Sequence, residues 1–186
     1  MDLFSYILIL TSVIYALAVA QILDGVSRLV QYPYPVRTYI PHTVWMANLF
    51  VFIFLVWWAS WEFREIEWTF PLYAYMLIAP TLFFLASSLL VPQRLSSDGV
   101  DLEEHFFRVR RLFFGAYFFG AFAVMVDGNV LSDEPVWHSG RIAHIVILGS
   151  AIAGYLSESR RTHLVLSAMT LLAIVGVALT RFLFPR

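Results

Sequence analysis

Asn48, Asp127, Arg141 and His144 are the polar residues hardest to explain in so apolar a chain. Asn48 lies one turn into one apolar stretch and His144 one turn into another, with Arg141 three residues earlier on the same helical face. Asp127 closes the stretch before Arg141, so the two can form an ion pair near the ends of consecutive segments. Polar groups at membrane depth are expensive, which makes each a functional candidate by default. His144 reads as a proton-sensitive gate or solute ligand, or else as a histidine held by a neighbouring helix. Asn48 reads as part of a polar path or as a packing hydrogen bond between helices. Ala116, Gly120, Ala123 and Asp127 share one helical face of small residues, which directs the acid into a helix interface rather than at lipid.

Other chemistries lack their residues. The chain has no cysteine, which removes disulfides, thiolate metal sites and cysteine nucleophiles together. All 12 basic residues are arginine, so a lysine Schiff base to retinal or pyridoxal is excluded. His42, His105, His138 and His163 fall at or beyond the ends of apolar stretches, leaving His144 as the one buried imidazole, whereas a bis-histidine haem needs two facing ligands. No HExxH, paired Glu-x-x-His, GxSxG or phosphate loop occurs, and Ser12, Ser150 and Ser167 have no evident base. The expectation is a protein without catalytic residues, cofactor or metal, and without affinity for nucleic acid.

These residues sit on elements that composition already specifies. With 60% hydrophobic residues, 13% charged and a mean hydropathy of +0.76 over 186 residues, the chain belongs in a bilayer. Six apolar spans are placed at 3–23, 43–61, 69–91, 110–130, 141–157 and 163–183, broken by Tyr32 to Pro35 and Pro41, by Pro92 and Ser96 to Gly99, and by Pro135. The predicted fold is therefore all-α: a polytopic integral membrane bundle of six transmembrane helices forming a single domain over 1–186. Ala18 to Gln21 has the look of a cleavage site, but no positive charge precedes it, so the first span reads as a retained helix.

Arginine sets the orientation. The first, third and fifth connections with their flanking ends hold Arg28, Arg37, Arg94, Arg108, Arg110, Arg111, Arg160 and Arg161; the other side holds Arg64, Arg141, Arg181 and Arg186. The positive-inside rule puts the first set in the cytoplasm and both termini in the periplasm of a bacterial inner membrane. Trp57, Trp58, Trp61, Trp68 and Trp137 at one side, and Tyr32, Tyr34, Tyr39 and Trp45 at the other, read as interfacial belts, and the runs Phe50 to Phe54 and Phe113 to Phe122 as faces toward lipid and neighbouring helices.

Two stretches end alike, Ala18-x-Ala20-x-x-Leu23-Asp24-Gly25 and Ala121-x-Ala123-x-x-Val126-Asp127-Gly128, and Met76 and Pro92 match Met169 and Pro185 at a constant offset. Duplicated halves over 1–92 and 93–186 would carry three spans each and so form a 3+3 inverted repeat. Chance matching of apolar segments is the other reading. Aquaporin-like pores share that plan, but their paired Asn-Pro-Ala motifs are absent here. Close helix packing is expected at Ala16 and Ala20, at Ala116 and Gly120, and at Gly149 with Ala153 or Ser150 with Gly154.

Asp101 and Glu104 have the spacing of a capping box, with Glu104 in reach of Arg108, which marks a cytoplasmic helix start. Asp24 and Arg28 make an ordinary helix-end pair. Arg108, Arg110 and Arg111 are placed to meet anionic lipid headgroups or a partner. The whole reads as a small channel or transporter, homo-oligomeric in the lipid bilayer, moving an ion or solute along a path near Asn48, Asp127, Arg141 and His144. The alternative is a non-catalytic membrane subunit, assembly factor or sensor that packs against another protein.

Overall fold

The computed structural model describes residues 3–93, 97–131 and 140–182. The expectations placed on Arg94, Ser96, Pro135, Trp137, His138, Pro185 and Arg186, and on the side chain of Arg181, lie outside the described residues. The architecture is all-α. Its helices are α1 (Leu3–Gln31), α2 (Ile40–Ala59), α3 (Phe70–Met76), α4 (Ile78–Leu90), α5 (Leu102–Leu131), α6 (Gly140–Leu156) and α7 (Arg160–Val177). A 3₁₀ turn over Ser60–Phe63 prolongs α2. Counting α3 with α4 as one broken rod, five of the six are long and apolar enough to cross a membrane, and α6 is a shorter apolar helix of 17 residues.

Two boundaries differ from the hydropathy reading. α1 runs to Gln31 and α5 begins at Leu102, so each is about 45 Å long and overshoots a hydrocarbon core of about 30 Å. The third rod breaks at Leu77 because Pro80 offers no N–H to the Met76 carbonyl and its ring crowds that carbonyl.

The helices close a circuit: α1 packs on α4, α4 on α5, α5 on α6, α6 on α7, α7 on α2 and α2 on α1, while α2 also touches α4 and α5 across the interior. These neighbours do not pair off as two related halves would. α1 lies along α4, but its counterpart α5 makes its extensive contacts with α4 and α6 rather than with α7.

The core is filled by rings along one half of the bundle. Trp45 is fully buried, with ring centroids 6.0, 4.9 and 5.7 Å from Phe113, Phe114 and Tyr117. It is therefore the centre of the core and not a belt residue. The phenylalanine runs divide between core and surface: Phe52, Phe113 and Phe114 are buried, whereas Phe54, Phe119 and Phe122 are exposed. Trp57, Trp58 and Trp61 lie exposed at the opposite end, as a belt requires, and Trp57 Nε1 donates to Ser12 Oγ at 2.8 Å. The two ends are called the arginine end and the tryptophan end below.

Small residues matter where rings press on a helix. In α1 the packed stripe is Tyr15, Ala18, Ile22 and Gly25, while Ala16 and Ala20 are exposed. In α6 the packed pair is Ser150 and Gly154. A Cβ on Gly154 would lie 2.4 Å from Cζ of Phe114, whose ring is fixed by Trp45 and stacked on His163 at 5.6 Å. Gly154→Ala is expected to destabilise the bundle by about 1–3 kcal/mol through overpacking. Gly149→Ala, with nothing within 4 Å of the added carbon, should leave stability unchanged or raise it by up to about 1 kcal/mol. Thermal unfolding of both variants in lipid nanodiscs, followed by near-UV circular dichroism, measures the difference.

Candidate functional site

Toward the tryptophan end the interior opens. α2 presents Phe52, Val56, Ala59 and, on the following turn, Glu62 and Phe63; α5 presents Val124, Asp127 and Gly128; α6 presents Ala143, His144 and Ile147; and α7 presents Ile174 and Val177. Together they line a chamber that is open to the outside. The cause is side-chain size: valine, alanine and glycine stand where the other half of the same helices carries tryptophan, phenylalanine and tyrosine.

Asp127 and His144 are both placed on this chamber. The small stripe Ala116, Gly120, Ala123 packs toward α3 and α4, with Gly120 against Phe83, and carries Asp127 inward as its spacing predicts. The Tyr75 hydroxyl lies within hydrogen-bond reach of both the Ala123 carbonyl, at 2.9 Å, and the Asp127 carboxylate. His144 Nδ1 is 3.0 Å from the Gly140 carbonyl one turn back. Glu62 is the site residue that sequence reasoning missed, because it sits beyond the hydropathy boundary of its span on a 3₁₀ turn.

Arg141 and Asn48 take other places. The expected Arg141–Asp127 ion pair does not form: Arg141 donates from Nη1 to the Met125 carbonyl at 2.7 Å and from Nη2 to Asn129 Oδ1 at 2.9 Å. It is a cation satisfying carbonyls at the end of α5, a favourable position against the helix dipole. Asn48 is fully buried one turn below Phe52 and donates from Nδ2 to the Ser167 carbonyl of α7 at 2.9 Å, while its Oδ1 has no hydrogen-bond partner. Below the chamber floor the rings around Trp45 fill the interior.

The proposed equivalence of Asp24 and Asp127 meets unlike surroundings. Asp24 is exposed and paired with Arg28 at 2.9 Å, whereas Asp127 turns to the chamber.

The arginine end is tied shut. Val36 and Arg37 pair in parallel with Val100 and Asp101, and Gly99 makes the turn with φ of +101°, its α-carbon facing the Pro35 carbonyl too closely for any side chain. Asp101 Oδ1 caps α5 by accepting from the amides of Glu103 and Glu104 at 2.8 and 3.0 Å, as its half of the capping-box spacing predicts, and Glu104 meets Arg108 one turn on at 2.6 Å, as the i,i+4 spacing predicts. Arg37 joins Asp101 at 2.8 Å and Glu103 at 3.6 Å, and Arg160 joins Glu103, so the first, third and fifth connections share one ionic network.

Of the three arginines placed toward lipid or a partner, Arg108 and Arg111 are exposed. Arg110 instead is buried, bonds Glu158 at 3.0 Å and lies over the Phe107 ring.

His42 and His163 are fully buried, which corrects the reading of His144 as the one buried imidazole; His144 is half-buried. Each stands at the start of a helix, yet its ring reaches the end of another. His42 Nε2 is 2.8 Å from the Leu90 carbonyl, His105 Nε2 is 3.0 Å from that of Leu89, and His163 Nε2 is 3.0 Å from that of Ser157. These carbonyls end α4 and follow α6, where no helical N–H remains to meet them. Among the described residues no group of three or more histidine, aspartate or glutamate side chains is placed to hold a metal ion.

The chain matches no protein-family model, no curated protein and no solved structure.

The network makes the arginine end acid-sensitive. Hydrogen bonds from the Glu104 and Glu103 amides and from Arg37 hold the Asp101 carboxyl below its ordinary value, and Arg110 does the same for Glu158. Both acids bind protons more weakly folded than unfolded, so their contribution is fully present above the ordinary carboxylate range and is lost as pH falls below about 4. Amide hydrogen exchange at the start of α5 is expected to quicken on acidification beyond its intrinsic pH dependence, and Glu158→Gln to blunt that response.

Proposed function

We propose that this chain is a small channel or transporter of the bacterial inner membrane, with the chamber as the periplasmic vestibule of its path. The observation that carries the reading is the chamber itself, which enters from the tryptophan end beside Glu62, Asp127 and His144 and descends to Phe52 and Ile147. Polar groups on a cavity between helices mark solute or ion pathways, since their desolvation serves no packing need. Asn48, just beneath the floor with an unpaired Oδ1, is the next polar group along that line.

The arginine end faces the cytoplasm in this reading, with Arg108 and Arg111 at the level of anionic headgroups. The exposed apolar faces of α1 and α7 meet lipid and, in a homo-oligomer, a second copy. The ring-filled half is then the closed gate. Passage requires α2 to shift against α5, which the sparse contact between α2 and α6 at the chamber leaves room for. The filled half also favours a second reading, a non-catalytic subunit or sensor whose bundle opens only from one side.

Uptake into proteoliposomes separates them. Radiolabelled rubidium, glycerol and benzyltrimethylammonium sample an inorganic ion, a neutral solute and an organic cation. The proposal expects one of them to enter faster than into empty liposomes, and Ala143→Trp or Val177→Phe, which fill the chamber, to remove the difference. Equal entry of all three with and without folded protein contradicts passage and favours the second reading.

A further inference from the structure

α7 buries one face, and that face is polar. His163, Ser167, Thr170 and Ile174 are fully buried, and the first three carry hydrogen-bonding groups at helical spacing while Ile174 lines the chamber. α2 packs along this face. It answers with Asn48, whose Nδ2 donates to the Ser167 carbonyl at 2.9 Å, and one turn toward the arginine end with Trp45, both fully buried. Polar groups that only glue two helices together meet each other. Here Thr170 Oγ1, Asn48 Oδ1, Trp45 Nε1 and His163 Nδ1 are all buried without a hydrogen-bond partner in the protein.

Their chemistry is complementary. The Ser157 carbonyl, 3.0 Å from His163 Nε2, can only accept, so the ring proton sits on Nε2 and Nδ1 is an acceptor. Asn48 Oδ1 accepts, Trp45 Nε1 donates and the Thr170 hydroxyl does both. Groups one helical turn apart stand about 5–6 Å from each other, a gap that one water spans with two hydrogen bonds of about 2.8 Å each. Buried water sits where such unmet groups converge, and lines of polar groups inside a membrane bundle mark proton relays. We propose that the α2–α7 seam holds a single file of water that carries protons between the chamber and the arginine end, past rings that stop any larger solute. This inference rests on the chamber being the entrance, as in the vestibule reading above, and names what crosses beneath it. Phe52 and Ile174, each one turn beyond Asn48 and Thr170, are the apolar step between chamber and file. Each oxygen on the file accepts one proton and passes on another. His163 takes one at Nδ1 and releases the one on Nε2 toward the connection at Ser157, so one proton crosses and no other bond has changed once the ring regains its first tautomer. Arg110, held by Glu158, is the charged group near that imidazole.

Liposomes holding the full chain and a trapped pH-sensitive dye test this, with a valinomycin-clamped potassium gradient driving protons inward. Proton entry is expected to exceed that into empty liposomes at least tenfold. Thr170→Val keeps the shape of the side chain without its hydroxyl and should slow entry severalfold, whereas Ile174→Thr extends the polar line to the chamber and should quicken it severalfold. The thermal transition of each variant is checked, and Thr170→Val alone suffices should Ile174→Thr not fold. Entry no faster than into empty liposomes, or entry that both variants leave unchanged, overturns the inference. So does a Thr170→Val chain that is more stable and conducts equally, which is the mark of a dry seam. The solute path of the vestibule reading survives any of these results if rubidium, glycerol or benzyltrimethylammonium enters through the unfilled chamber, and it falls independently if none does.

Discussion

Trp45 meets Phe113, Phe114 and Tyr117 edge-on, and the width of those rings sets the distance between α2 and α5 along the arginine half of the bundle. Edge-on aromatic pairs add about 0.5–1.5 kcal/mol each beyond the area they bury, so this contact resists being opened. The neighbours adapt to it. α6 approaches Phe114 because Gly154 has no side chain, and α7 approaches because His163 stacks on the same ring. Helices held apart by rings at one end cannot close on valine, alanine and glycine at the other. The ring-filled half and the chamber thus have one cause, a gradient of side-chain volume along α2 and α5.

The arginine end solves a different problem. Helix ends meet there in the packed interior, where a buried carbonyl left unmet costs about 1–3 kcal/mol. His42, His105 and His163 meet those carbonyls, and Asp101 meets the first amides of α5. Arg37, Glu103, Arg160, Arg110 and Glu158 then bind the connections to each other. Ionic and carbonyl contacts are concentrated at this end, and the polar residues that line the chamber are at the opposite one.

Much of the architecture was legible in the sequence. Hydropathy located all six apolar rods, arginine distribution separated the two ends, and the spacing of Asp101, Glu104 and Arg108 marked the start of α5. The overshoot of α1 and α5 was not legible, because charged turns beyond a span lower its hydropathy without ending its helix. Which aromatics turn inward was also hidden, since a helix apolar all round shows no periodicity to read; Trp45 looked like a belt residue for that reason. At the site, Asp127 was found through its small-residue stripe, whereas the depth read for His144 belongs to His42 and His163. Arg141 was paired with the wrong group because helix-end carbonyls leave no trace in sequence. Glu62 and the chamber itself depend on side-chain sizes compared across four helices, a relation that exists only after folding.

The volume gradient is tested most directly by a series of single cysteines down α2, in a chain that has none of its own. Substitutions at Ala59, Val56, Phe52, Leu49 and Trp45, reacted with a water-soluble maleimide in nanodiscs, report where water reaches. The account predicts fast labelling at Ala59 and Val56, a fall at Phe52, and none at Leu49 or Trp45. Uniformly slow labelling, or labelling at Leu49 as fast as at Val56, would contradict a chamber that opens from the tryptophan end onto a closed aromatic floor.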